Sequence, residues 1–183
     1  MIRDESTADA VSRPMTSAAS IRQIWTMVEA ALAFVGAGIA GTLWWKERIH
    51  QDVPCTGDGG CGIVAASRWS HIDLVVFHHV PVALLGLLGY VALLTIAMLR
   101  LGSETDKADR LLHRLCWLLA AGGASYSWYL QWIAHAKIGA FCIWCRSSAI
   151  VMTALLLVAT WEWLAARRQA RRVEFLRGME PHG

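Results

Sequence analysis

Four long apolar runs, separated by short polar links, constrain this chain more than any other feature. They cover residues 24–45, 74–99, 111–133 and 143–163. Each is long enough to cross the hydrocarbon of a bilayer, which takes about 20 helical residues. Every backbone N–H and C=O at that depth needs a partner within the structure, so runs of this kind cross as helices. The composition agrees: 56% of residues are hydrophobic and only 17% charged, too apolar for an ordinary soluble domain. The expected fold is an all-α membrane protein, a four-transmembrane-helix bundle in one domain.

The remaining segments follow from that frame. Residues 1–20 carry mixed charge (Arg3, Asp4, Glu5, Asp9, Arg13) and Pro14, and are expected to be a disordered tail. They are not read as a secretory signal, because the run that follows is too long for an h-region and lacks a cleavage site. The membrane domain is expected over residues 21–166, with a basic tail over 167–183 containing Arg167, Arg168, Arg171 and Arg172. Gly36, Ala37, Gly38, Ala40 and Gly41 in the first run suit close approach of another helix. Residues 46–73 form a polar connection, of which 62–73 is expected as a short interfacial helix. His78, His79 and Pro81 fall near the start of the second run, so its first turns bend or sit among the headgroups. Residues 100–110 make a charged link and 134–141 a brief turn.

Charge placement sets the orientation. Of the 17 lysines and arginines, twelve fall on the side shared by the two tails and the middle link, and five on the other. Both termini are therefore expected in the cytoplasm. The same topology brings Cys55, Cys61, Cys142 and Cys145 to the outer side, where disulfides form and persist. Nothing in the cysteine spacing forces that agreement.

Cys55 and Cys61 flank a pliant stretch containing Gly57, Gly59 and Gly60. Cys142 and Cys145 form a CxxC pair at the first turn of the last run, close enough on one helix face to bridge. The helix N-terminus and Arg146 both favour a thiolate there. Two dithiol pairs, one mobile and one anchored, suit a relay that takes electrons from an aqueous partner and passes them to a membrane-soluble two-electron acceptor, a quinone.

Together these residues resemble the bacterial form of the vitamin K epoxide reductase family. The likeness is carried by Cys55 and Cys61 followed by Val64 and Ser67, then by Val80-Pro81-Val82-Ala83 with Gly86, Gly89 and Tyr90, and finally by Cys142-Ile143-Trp144-Cys145. The order of motifs differs from the DsbB type, where the CxxC comes first. The resemblance implies a four-helix bundle around a quinone pocket in the bacterial inner membrane, opening to the periplasm. It implies that Cys55 exchanges with a thioredoxin-like protein, that Cys61 passes electrons to Cys142, and that Cys145 meets ubiquinone or menaquinone. Ser67 would bind a quinone oxygen or shape the pocket wall. Ala149 stands where the animal enzymes have a tyrosine, which disfavours vitamin K epoxide as substrate. With no fused thioredoxin domain before Gly183, the expected partner is a separate DsbA-like periplasmic protein.

The rival class is a non-catalytic membrane protein whose outer cysteines are structural disulfides or ligate a metal. A four-thiolate zinc site usually spaces its paired cysteines by two to four residues, and the gap between Cys55 and Cys61 is wider, so no metal is expected. Cys116 reads as a small core hydrophobe. His71, His78 and His79 read as interfacial residues. Trp128, Tyr129, Trp132 and Trp144 could line a pocket but more often anchor span ends. The basic tail reads as a topology determinant and an anionic-lipid contact, with no nucleic-acid role.

Overall fold

The computed structural model describes residues 5–49, 51, 60–65, 67, 70–72, 80–103, 105–140 and 142–178. Helix α1 spans Glu5–Arg48 and is followed by the short α2, Gly60–Ala65. Strands β1 (His71–Ile72) and β2 (Val80–Pro81) pair antiparallel, with His71 opposite Pro81. Then come α3 (Val82–Leu101), α4 (Asp106–Ile133), a π-helical turn (Ala134–Ile138) and α5 (Ile143–Gly178). Each of the four long helices packs on two others, in the closed order α1, α3, α4, α5. Three of them contain stretches long and apolar enough to cross a membrane: Ser20–Arg48, Val82–Leu101 and Ile143–Arg172. Helix α4 is less apolar, since it begins with Asp106, Lys107, Asp109 and Arg110 and carries Ser125, Ser127 and Gln131 in its second half.

Several expected boundaries move. Residues 5–20, expected as a disordered tail, continue α1. Once a helix is nucleated each further residue adds a hydrogen bond, and Ala8, Ala10, Ala18 and Ala19 favour its extension. The second long helix starts at Val82 rather than residue 74, with Pro81 as its N-cap in extended conformation. Proline fixes its own backbone and pushes the residue before it away from helix, and Val80 is duly in β2. Residues 73–79 lie outside the described residues. The interfacial helix expected over 62–73 is the single short turn of α2 followed by β1. At the far end α5 runs through the basic tail to Gly178, and Arg167 stacks over the Trp163 ring at 3.6 Å.

The core is built largely of small residues. Ala33, Ala40, Tyr90, Leu93, Cys116, Ala120, Ala124, Met152 and Leu155 form one buried cluster, so the helices meet by close backbone approach. Cys116 is part of that core, as the sequence suggests. Large side chains such as Phe34, Leu118 and Leu157 face outward, the pattern of a bundle surrounded by lipid rather than water. Gly36 has a specific task. A Cβ there would fall inside the ring of Tyr90, which crosses from α3 and is wholly buried. The Tyr90 hydroxyl donates to the Ser148 carbonyl of α5 at 2.8 Å and lies 3.0 Å from the Ser148 hydroxyl.

The other end of the bundle is closed by charge. Arg100, expected in a solvated link, is buried in the last turn of α3. Its guanidinium donates to Glu29 of α1 at 2.5 Å, to Glu162 of α5 at 2.7 Å and to Asp109 of α4 at 3.2 Å. One cation thus bonds carboxylates from the three other long helices. Arg22 reaches Asp109 from outside at 3.3 Å.

Candidate functional site

The CxxC pair is set by the turn before it. Gly139 ends the π-helical turn with φ +69°, a left-handed conformation that glycine adopts without strain. The chain then reverses into α5, and Cys142 takes the N-cap position: the Arg146 N–H donates to the Cys142 carbonyl at 3.0 Å, the first helical bond. The Cys145 N–H donates to Cys142 Sγ at 3.4 Å. A sulfur thereby does the work usually done by a serine or aspartate oxygen at a helix start.

That placement explains the acidity of Cys142. The thiol of Cys145 donating to its sulfur, with the N–H groups of Cys145 and Trp144, outweighs burial and lowers its pKa to about 7. Arg146 is exposed and makes no described contact with either sulfur. The thiolate expected from the helix terminus is therefore supported by the cap, and the guanidinium expected beside it adds nothing to the described geometry. Both CxxC sulfurs are free thiols, whereas Cys61 is in a disulfide. Cys61, at 4% exposure, lies in α2. Cys55 lies outside the described residues, as do His78 and His79.

Cys61, Cys142 and Cys145 line one cavity of about 620 Å³. This size and a mainly apolar wall are those of small-molecule pockets. The α3 wall comes from Val82, Ala83, Gly86, Gly89 and Tyr90, the residues singled out between the two cysteine pairs in the sequence. The α4 wall is Leu119, Gly122, Gly123, Tyr126, Ser127 and Leu130, a stripe at helical spacing. Gly122 and Gly123 leave the floor open, and Met152 leans over Gly123 from α5. Lys46 and Gln51, hydrogen-bonded at 3.0 Å, stand at the wall formed by the end of α1.

Ser67 is not among the lining residues. Its hydroxyl donates to the Val64 carbonyl at 2.7 Å, while its own carbonyl accepts the Ser70 hydroxyl at 2.9 Å. It closes the turn after α2, and Ser70 is the serine that reaches the cavity wall. Trp128, Tyr129 and Trp132 are half exposed on the outer face of α4, as anchors would be. Trp128 donates to Thr153 at 3.0 Å, and Tyr129 stacks on Trp132. Sequence reading passed over Tyr126 and Ser127. The signal for them was the stripe with Gly122 and Gly123, one helical turn before. It also passed over Glu29 and Glu162, whose signal was an ionisable residue inside an apolar run.

The arrangement can shuttle disulfides. An acidic thiol, a second thiol one helical turn away and an oxidised cysteine share one enclosure, which is what thiol–disulfide exchange requires. A family model for vitamin K epoxide reductases matches residues 27–160, a range that holds all three sulfurs and every described wall of the cavity. This chain belongs to the vitamin K epoxide reductase family and is accordingly a membrane thiol–disulfide oxidoreductase.

Proposed function

We propose that this protein is a membrane thiol oxidase, relaying two electrons from a periplasmic thioredoxin-fold protein of the DsbA kind, through Cys55 and Cys61 and then Cys142 and Cys145, to a quinone such as ubiquinone or menaquinone. The observation that carries the reading is the shared cavity: Cys61, Cys142 and Cys145 all face it. In this reading all four long helices span the inner membrane with both termini cytoplasmic. The antiparallel seat of α4 between α3 and α5 supports the fourth crossing, as does the run of arginines beyond Leu164.

A thiolate of the reduced partner attacks the disulfide of the loop pair, and the partner leaves oxidised with both loop sulfurs reduced. The Cys61 thiolate then attacks an oxidised Cys142–Cys145 bridge at Cys142, expelling Cys145 as thiolate. Cys55 resolves the mixed disulfide, which returns the loop pair to its oxidised form and leaves Cys142 and Cys145 reduced. That redox distribution, Cys61 oxidised and the CxxC reduced, is the one described here. A bound quinone supplies acceptance of two electrons and two protons, which regenerates the Cys142–Cys145 bridge. The cavity suits a flat ring: it is mainly apolar, with Ser70, Tyr126, Ser127 and Ser148 among its lining residues. The position of Ala149, fully buried, continues to favour a plain quinone over the epoxide.

Reconstitution with a defined quinone and a reduced thioredoxin-fold protein tests the proposal. Oxidation of the partner should track quinone reduction one for one, and Cys142→Ala or Cys145→Ala should abolish both while leaving folded protein. Quinone-linked oxidation that persists in either variant would overturn it.

A further inference from the structure

The charged end of the bundle holds more acceptor atoms than its donors satisfy. Arg100 bonds one oxygen of Glu29 and one oxygen of Glu162, in each case Oε2. The other oxygens, Glu29 Oε1 and Glu162 Oε1, are buried without a partner, as are both ring nitrogens of His113. The side chains concerned are 1%, 8% and 12% exposed respectively. His113 Nδ1 comes within 3.2 Å of Glu162 Oε2 but outside hydrogen-bond geometry. Buried polar atoms in that condition are rare and call for an explanation.

Charge points the same way. Glu29, Asp109 and Glu162 face Arg100 and the outer Arg22. Three carboxyl groups thus face two guanidinium groups, one of which, Arg22, is half exposed at the edge, so the buried cations are fewer than the carboxyl groups around them. An imidazolium could turn Nδ1 toward Glu162 Oε2 but would still bury an Nε2–H without an acceptor. A cation seated against the unpartnered atoms answers both problems at once.

We propose that Glu29, His113 and Glu162 bind a divalent transition-metal ion, zinc or manganese, at the end of the bundle remote from Cys61, Cys142 and Cys145. One ligand atom from each residue lies within 4.8 Å of the others. Ligands at about 2.1 Å from zinc stand at most about 4.2 Å apart, so small side-chain rotations close the set. Two carboxylates and an imidazole are a donor set for a nitrogen- and oxygen-preferring metal rather than for calcium or copper(I). Each carboxylate then bridges, with Oε2 on Arg100 and Oε1 on the ion, and Arg100 orients both ligands from outside the metal as such partners commonly do. The ion joins α1, α4 and α5, and Arg100 ties α3 to the same point. Its role is structural, and it stands or falls independently of the thiol relay.

Metal content and thermal stability test the site without reference to activity. The full chain, in nanodiscs and with Cys142 and Cys145 alkylated so that the CxxC pair holds no metal, should retain about one zinc or manganese per chain by mass spectrometry. Glu29→Gln and His113→Gln should each reduce that content by about tenfold. Should either variant fail to fold, the alkylated parent still decides. Stripping with dipicolinate should lower its Tm by several degrees, and zinc chloride or manganese chloride should restore it. Metal at trace level in the parent, with a Tm indifferent to both salts, would overturn the proposal and leave His113 closing the cluster with a proton.

Discussion

The cap at Cys142 makes a quantitative prediction about reactivity. A drop in pKa from 9.0 to about 7 corresponds to about 3 kcal/mol in favour of the thiolate. At pH 7 the thiolate fraction rises from about 1% to about half, roughly a 50-fold gain. A less basic sulfur is also a weaker nucleophile, by roughly six- to tenfold over two units. The net expectation is alkylation at neutral pH roughly five- to eightfold faster than for an ordinary thiol of equal access. Because Cys142 is only 5% exposed, the midpoint of the pH–rate profile is a cleaner readout than the rate. It should lie near 7 when iodoacetamide modification of the reduced protein is followed by peptide mass spectrometry. The Cys145 thiol makes the largest contribution, so Cys145→Ala should move the midpoint up by about one unit or more. Arg146→Gln should leave it in place. A parental midpoint near that of an ordinary thiol, or one unmoved by Cys145→Ala, would refute the capping argument. A large upward shift on Arg146→Gln would return the credit to the guanidinium.

Three further expectations concern packing. Gly36→Ala should cost about 1–3 kcal/mol through overpacking against Tyr90, whereas Gly38→Ala, with nothing within 4 Å of the added carbon, should be neutral or slightly stabilising; thermal unfolding of the two in one detergent makes the comparison. Tyr90→Phe removes the bonds to Ser148 and should cost about 1–2 kcal/mol, visible as a lower Tm with the helix content unchanged. Arg100→Gln leaves three carboxylates facing one another and should cost about 3–5 kcal/mol; a variant as stable as the parent would show that the cluster contributes nothing to holding the helices.

Much of this fold is written in its hydropathy. Apolar runs longer than a bilayer is thick admit few arrangements, and the end of α1, the end of α3 and the start of α5 fall close to where those runs predict. The outer ends of α1 and α5 do not, because hydropathy marks where lipid contact stops and not where helix stops: α1 begins at Glu5 and α5 continues to Gly178. The start of α3 was readable in Pro81, whose backbone constraint is local. Cys142 and Cys145 were legible as a pair on one helix turn, but the sulfur's role as N-cap depends on Gly139 and the π-helical turn before it, which no periodicity announces. Ser67 was legible only as a motif match. A residue matched by motif is engaged with Val64 in a turn, and the neighbouring Ser70 faces the cavity instead. Arg100 was misplaced because a charge at the end of an apolar run resembles a loop charge until Glu29 and Glu162, distant in sequence, are brought beside it.

The two ends of this bundle are built from unlike materials. From Arg100 back to Val82, or from Glu162 back to Cys142, the helices rise about 27–30 Å, which separates a knot of ions from a hollow floored by glycines. Tongs have this construction: riveted at one tip, yielding at the other. Relative movement of the helices is therefore expected to be least beside Arg100 and greatest beside the sulfurs, where glycines rather than ion pairs face across the bundle.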